Sequence, residues 1–271
     1  MLQINKKKYF YKSKFIRQEV LKTALKAKKG HIPPAYSWIE IAVILFYTKI
    51  FTFFKNKDIF ILSKGHGCLT LYVILADLGL ISKKSLHSFG GDGSLLPGHP
   101  DTKINKVENC SGSLGHGLGV ACGKSLSLKM KKSSNHVIVL LGDGECQEGS
   151  IWEACIFAAH NKLNNLIAII DRNKLSATNF TEKIGALEPL DKKFKSFGWD
   201  TFIVNGHSYN EIYKTLTKAK RSKKPVCIIS NTIKGKGIKF MENKKEWHHQ
   251  IPNQKQTLIA MKELKINKLY E

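Results

Sequence analysis

Gly142-Asp143-Gly144 directly follows the apolar run HVIVLL (136–141), and Asp171 and Asn173 stand at the end of the next such run, LIAIID (166–171). A glycine on each side of Asp143 lets the backbone approach a phosphate closely, while the carboxylate can reach a divalent cation held against that phosphate. One strand–helix–strand crossover between Asp143 and Asn173 brings the two side chains to the same sheet edge. Carboxylate, amide oxygen and backbone carbonyl are hard donors suited to Mg²⁺ or Ca²⁺, with diphosphate oxygens completing the shell. Gly-Asp-Gly alone is an ordinary turn. Placed after a buried strand, where open α/β sheets bind their ligands, and matched by an asparagine at the end of the next strand, it points to a cation–phosphate site. A metal ligand at a strand end is expected to face the surface and to contribute little to the core.

Such residues need a parallel sheet to hold them. Helical apolar spacing covers 15–28 and 37–48, 68–78 returns to helix, and a further helix is expected over 150–161. Strands are expected at 59–62, 136–141, 166–171 and 227–231. Continuous apolar strands separated by helices imply an α/β fold, a parallel sheet with helices on both faces. No internal repeat or low-complexity linker divides the chain, and lysine-rich turns at 129–132 and 221–224 only punctuate it. Its 271 residues exceed the ~150 of a typical domain, but one continuous domain over 1–271 fits best.

Composition narrows the class. A hydrophobic fraction of 42% and a charged fraction of 24% belong to an ordinary folded protein. The net charge of +23 comes from 44 Lys and Arg against 21 Asp and Glu. The lysines are dispersed, Arg17, Arg172 and Arg221 are the only arginines, and no nucleic-acid-binding signature is present. The excess therefore reads as solvated surface, not as a phosphate-backbone patch. The apolar stretch 41–54 is interrupted by Lys49 and falls short of the ~20 residues of a membrane span. The amino terminus, MLQINKKKYFYKSKF, has no apolar signal core, so a cytoplasmic location is expected. Six scattered cysteines without a C-x-x-C pair read as reduced thiols.

The segment from Gly142-Asp143-Gly144 to Asn173 resembles the thiamin diphosphate fingerprint. GDGECQEGSIWEA with NKLNNLIAIIDRNKLS is similar, more specifically, to the amino-terminal half of transketolase. SKGHG (63–67), LPGHPD (96–101), SGSLGHGLGVACG (111–123) and IKGKGIKFMENKKEWHH (233–249) extend the resemblance over nearly the whole chain. It implies that Asp143, Asn173 and the carbonyl of Leu175 bind Mg²⁺ (or Ca²⁺). It also implies that Gly144 and His66 touch the diphosphate, with His248 closing over it. His66 would sit just before a helix, whose free N–H groups attract anions. Gly112, Ser113 and Leu114 match the segment that packs on the aminopyrimidine and thiazolium region. His31, His99 and His248 match histidines that hydrogen-bond sugar hydroxyls and move protons. His249 leaves open which ring of the pair faces the site, and His116 either lies near it or simply packs. Glu148 and Glu153 begin the helix after Asp143; there they either complement its dipole or join a carboxylate network at a subunit interface.

Two departures stand out. Where many relatives have Gly-His-x-Gly-Gly, this chain has Gly30-His31-Ile32-Pro33-Pro34, and paired prolines forbid the freedom of paired glycines. A differently shaped loop beside His31 is expected, which puts the usual sugar-phosphate acceptor pocket in doubt. After KEWHHQIP about two helical turns follow (256–264). The resemblance implies that the family's pyrimidine-binding domain, with the glutamate that activates the aminopyrimidine, is to be expected outside this chain. The resemblance thus implies the amino-terminal subunit of a split transketolase that transfers a two-carbon ketol unit from a ketose to an aldose, or their phosphates. It would need a separate pyrimidine-binding subunit, with two copies of each. A ketol or acyl transferase of specialised sugar biosynthesis, or a non-catalytic protein retaining the fold, are the alternatives.

Overall fold

The computed structural model describes residues 5–53 and 58–270. Phe54 of the apolar stretch, the first four residues of the amino-terminal segment and Glu271 lie outside the described residues. Three helices come first: α1 (Lys6–Ala27), α2 (Ile32–Tyr36) and α3 (Ile39–Tyr47). They are followed by β1 (Ile59–Leu62), α4 (Cys68–Asp77), α5 (Gly117–Met130), β2 (Val137–Gly142), α6 (Gly149–His160) and β3 (Leu166–Arg172). The remainder runs α7 (Thr181–Ile184), α8 (Leu190–Ser196), β4 (Asp200–Asn205), α9 (Tyr209–Ala219), β5 (Val226–Asn231) and α10 (Gln254–Leu264). The five strands form one sheet in the order β1-β2-β3-β5-β4, and all its pairs are parallel.

Alternation along the strands divides the interior in two. Ile138, Leu140, Ile167, Ile169 and Ile228 point into a core shared with Ile16 and Val20 of α1, Val43 of α3, Leu71 of α4, Leu216 of α9 and Leu264 of α10. Val139, Leu141, Ala168, Ile170 and Ile229 point into a second core with Leu118 of α5, Ile151 and Cys155 of α6 and Phe194 of α8. Helices thus cover both faces, and each fully buried Ile or Leu contributes roughly 1.5–3 kcal/mol. Asn5 caps α1 by accepting from the Lys8 N–H, and Asn253 with Gln256 forms a capping box on α10. Among the described residues no helix is long and apolar enough to cross a membrane, and all six cysteines are free thiols.

The elements α2, α5, α7, α8, α9 and β4 lie outside the expected set, and for β4 and α5 the physical reason is plain. β4 is an edge strand with one buried position and Ile203 exposed, so it lacks a continuous apolar run. α5 carries Gly117, Gly119 and Gly123 in its first two turns. Gly117 is required by packing, because a Cβ there would meet Ser63 Oγ at 2.2 Å.

The expected loop at Pro33-Pro34 is a correction. Both prolines lie in the first turn of α2, where a missing N–H costs nothing. The Pro33 carbonyl accepts from the Gly235 N–H, and that of Pro34 from the Lys64 ammonium, so the short helix is fixed from two sides.

Candidate cofactor and active site

The register of the sheet builds the site. Gly142 pairs with Asp171, and Arg172 with Asn231, so β2, β3 and β5 deliver Asp143, Asn173 and the segment beginning at Thr232 to one edge. β1 ends beside them and delivers Lys64 and His66. Together they wall a cavity of about 350 Å³ whose lining includes His31, His66, His99, His248, Gly112, Leu114, Asp143, Gly144, Glu148, Asn173, Leu175 and Lys234. That is the size of a small-ligand or cofactor site. Gly112 leaves room on its wall: its φ is +145°, and a Cβ there would meet only His99 Cγ at 3.9 Å. Ser113 is exposed and lies off the lining, between Gly112 and Leu114, which are on it.

Asp143 does not face the surface. It is 2% exposed; its Oδ1 accepts from the Gly144 N–H and its Oδ2 from the Lys174 N–H and from Arg172 Nη1 at 3.1 Å. Burial, and then Asp171, push its carboxyl above the usual range despite that guanidinium. Asn173 Oδ1 accepts from the Leu175 N–H at 3.1 Å, which fixes the turn after β3. The Leu175 carbonyl faces the same cavity and accepts from Lys234 Nζ at 3.3 Å.

The imidazoles converge. The ring of His31 lies 5.9 Å from His66, 5.9 Å from His99, 5.3 Å from His248 and 4.4 Å from His249. His248 is the ring that lines the wall, with Nδ1 2.7 Å from Lys234 Nζ; exposed His249 lies against the outer side of His31. Burial first, and the neighbouring imidazoles and lysines second, lower His31 to about 4 and His248 to about 3. Burial and then His249 lower His99, and burial with Lys64, His248, His31 and Lys234 lowers His66 further. All four are therefore neutral imidazoles near pH 7, each with one donor and one acceptor nitrogen.

His116 caps α5 from an exposed position outside the lining. Glu148 stands just before the first turn of α6, beside the cavity, and Glu153 lies on the exposed face of that helix next to Ile156 and Phe157. Glu148 is thus the N-cap of α6 and Glu153 lies in its second turn, after a 3₁₀ turn over Gly144–Gln147.

Three buried groups escaped the reading of the sequence. Lys234 donates to the carbonyls of Leu175 and Ser176, Lys64 pairs with Asp171, and Glu145 accepts from Ser63, Gly115 and Gly142. Gly235 and Gly237, beside Lys234, were the available signal.

Residues 11–266 match the family described as transketolase, thiamine diphosphate binding domain. The chain belongs to the transketolase family. It is 38% identical to an apulose-4-phosphate transketolase subunit of Phocaeicola vulgatus, over 92% of this chain and 90% of that one. The Actinobacillus succinogenes protein of the same name is 40% identical, over 94% and 95%. Human transketolase is 37% identical over 86% of this chain but only 38% of its own length. The crystal structure of Campylobacter jejuni transketolase superposes with a TM-score of 0.92 at 29% identity, covering 99% of this chain and 44% of that one.

The cavity suits the family's cofactor. Asp143, Asn173 and the Leu175 carbonyl offer hard oxygens to a divalent ion, which would supply the positive charge that the raised carboxyl of Asp143 lacks. Lys64 and Lys234 add two buried basic side chains to the lining, the first paired with Asp171.

The lowered histidines also predict a pH effect on the transketolase chain itself. An unfolded histidine takes up a proton near 6.5, whereas His31 and His248 do so at about 4 and about 3. Between these limits the unfolded state binds more protons, so stability falls as pH drops from 6.5 towards 4. Melting curves at pH 7 and pH 5 should show this, and the double variant His31→Asn/His248→Asn should flatten the dependence. An equal slope in the variant would refute it.

Proposed function

We propose that this chain is the diphosphate-binding, amino-terminal subunit of a split transketolase, acting in the cytoplasm with a separate pyrimidine-binding subunit, two copies of each. The observation that carries the reading is a cavity at the strand ends, where an oxygen-donor triad stands beside two buried lysines and four neutral imidazoles. The division into two kinds of subunit is supported by lengths: the chain spans 90–95% of relatives that are named as transketolase subunits and 38% of human transketolase.

In this reading Asp143 and Asn173, with the Leu175 carbonyl, hold Mg²⁺ (or Ca²⁺). Gly144, His66 and Lys234 hold the diphosphate. Gly112, Ser113 and Leu114 flank the rings of thiamin diphosphate, which when bound supplies the carbon–carbon bond chemistry. His31, His99 and His248 face the sugar. As neutral rings they donate to one hydroxyl and accept from another, and so hold or pass a proton at the sugar oxygens. His248 also closes over the diphosphate side through its contact with Lys234. Glu148 and Glu153 mark the face of α6 that, with exposed Val120, Ile156 and Phe157, meets another subunit. The substrates are a ketose donor and an aldose acceptor, or their phosphates. Relatives are named for apulose 4-phosphate and for 6-deoxy-6-sulfo-D-fructose, whose names both include an anionic group.

The purified chain should transfer no ketol unit from xylulose 5-phosphate to ribose 5-phosphate, and should gain turnover on mixing with the subunit that co-purifies with it. Robust transfer by the chain alone would overturn the split-enzyme reading. Within the reconstituted enzyme, His99→Ala should lower turnover while thiamin diphosphate affinity stays near that of the wild type, because His99 meets the ring of His31, whereas Asp143, Asn173 and Leu175 make their contacts with other residues. Lost cofactor affinity with normal turnover at saturation would reverse the assignment.

A further inference from the structure

The segment that carries Lys234 into the cavity is held from behind by charged residues that do not line the cavity. Arg17 on α1 is 8% exposed, and its Nη2 lies 2.7 Å from Glu40 Oε1 on α3, itself 6% exposed. Glu40 Oε2 lies 2.8 Å from Nδ1 of His207, in the turn after β4. The other ring nitrogen, Nε2, accepts from the Ile233 N–H at 2.8 Å. An acceptor nitrogen carries no proton, so Nδ1 is the donor and Glu40 its acceptor. At the far end of the same segment, Arg17 Nε donates to the Lys236 carbonyl at 2.8 Å. One buried relay thus grips the backbone one residue before Lys234 and two residues after it.

The sequence is cut to admit this grip. Gly237 has a φ of +109°, and a Cβ there would meet Arg17 Cδ at 2.9 Å and Nε at 3.0 Å. The glycine clears the guanidinium's path to the chain. Held this way, the buried Lys234 directs Nζ to the Ser176 carbonyl at 2.9 Å and to His248 Nδ1 at 2.7 Å.

We infer that Arg17, Glu40 and His207 are positioning residues that set the Lys234 ammonium in the anion-binding wall of the cavity, an inference that rests on the cofactor reading above for its functional consequence. An ammonium on a flexible four-carbon stem loses its grip on an anion when its backbone is free to move, because the side-chain entropy cost of holding it is then no longer shared by the scaffold. Breaking the relay therefore weakens diphosphate binding without removing any group that touches the diphosphate.

The test uses the chain in complex with its co-purifying partner and takes two readouts, each well below the melting temperature. The first is the rate at which acetic anhydride acylates Lys234 in the cofactor-free protein, followed by peptide mass spectrometry. The second is the dissociation constant of thiamin diphosphate with Mg²⁺. His207→Ala should speed Lys234 acylation and weaken binding about tenfold, the value of roughly one hydrogen bond to a charged network. His207→Gln, which returns an acceptor for the Ile233 N–H, should recover most of both. A folded His207→Ala protein with wild-type acylation and affinity overturns the inference. Should His207→Ala fail to fold, Gly237→Ala displaces Arg17 while keeping every charge, and the same two outcomes decide. If the wild-type assembly itself fails to bind thiamin diphosphate, the cofactor reading falls, and the acylation rates still decide whether the relay positions Lys234.

Discussion

Asp143→Ala and Asn173→Ala should each abolish measurable Mg²⁺-dependent binding of thiamin diphosphate, a loss larger than the ~10–100-fold typical of removing a mere outer-sphere partner of a metal site. The effect is large because the donor set is small: one carboxylate, one carboxamide oxygen and one backbone carbonyl share the cavity wall. Losing the carboxylate removes the main negative charge facing the ion, and the ion is what allows a diphosphate to sit beside an aspartate at all. Folding should survive despite the burial of Asp143. Arg172, its ion-pair partner, retains Glu182 and Glu188 at 2.7 and 2.9 Å and the Thr181 hydroxyl, so the guanidinium is not stranded. Calorimetry on the complex of the chain with its partner, together with melting curves, checks both halves. Unchanged thiamin diphosphate affinity in the two variants would remove the metal site from the account.

How much of this was legible depended on where a residue's constraint comes from. β2 and β3 are covered on both faces, so nothing along them needs to be polar, and HVIVLL and LIAIID announce themselves. β4 at the sheet edge is covered incompletely, and DTFIVN reads as a mixed segment. α5 was hidden because Gly117, placed for contact with Ser63, lowers local helix propensity that only tertiary packing restores. Site residues on strand ends were readable for the same reason that strands were: the crossover fixes their neighbourhood. Lys64 and Lys234 were not, because among 44 basic residues a lysine carries no mark of burial, and the carboxylate or carbonyl that accepts it lies far off in sequence. The double proline misled because a rule about backbone freedom was applied to a loop. The chain uses those positions as the first turn of a helix, where proline is at home.

Lys64→Met should cost about 3–5 kcal/mol of stability, the range for removing one partner of a buried ion pair. Lys64 and Asp171 are 1% and 0% exposed, and the ammonium contacts the carboxylate directly. Although burial works against it, Lys64 holds the Asp171 carboxyl below its usual range, with help from the hydroxyls of Ser37 and Thr232. Asp171 thereby joins the end of β3 to the segment leading into α3 and to the segment after β5, while Lys64 also donates to the Pro34 carbonyl at 3.0 Å. With methionine at 64 the carboxylate keeps two hydroxyl donors and the Asn173 amide at 3.4 Å but no cation in contact, and it stands near a second buried carboxylate, Asp143. Most of the loss is therefore the penalty of an orphaned charge and not the worth of the pair. The double variant Lys64→Met/Asp171→Leu separates the two, since it removes the orphan along with its partner and should recover a substantial part of the lost stability. Urea unfolding of wild type, single and double variants measures this directly. A Lys64→Met protein within about 1 kcal/mol of wild type, the range of an exposed pair, would mean that the pair is not sealed from water and that the floor of the cavity is held by the hydroxyls alone.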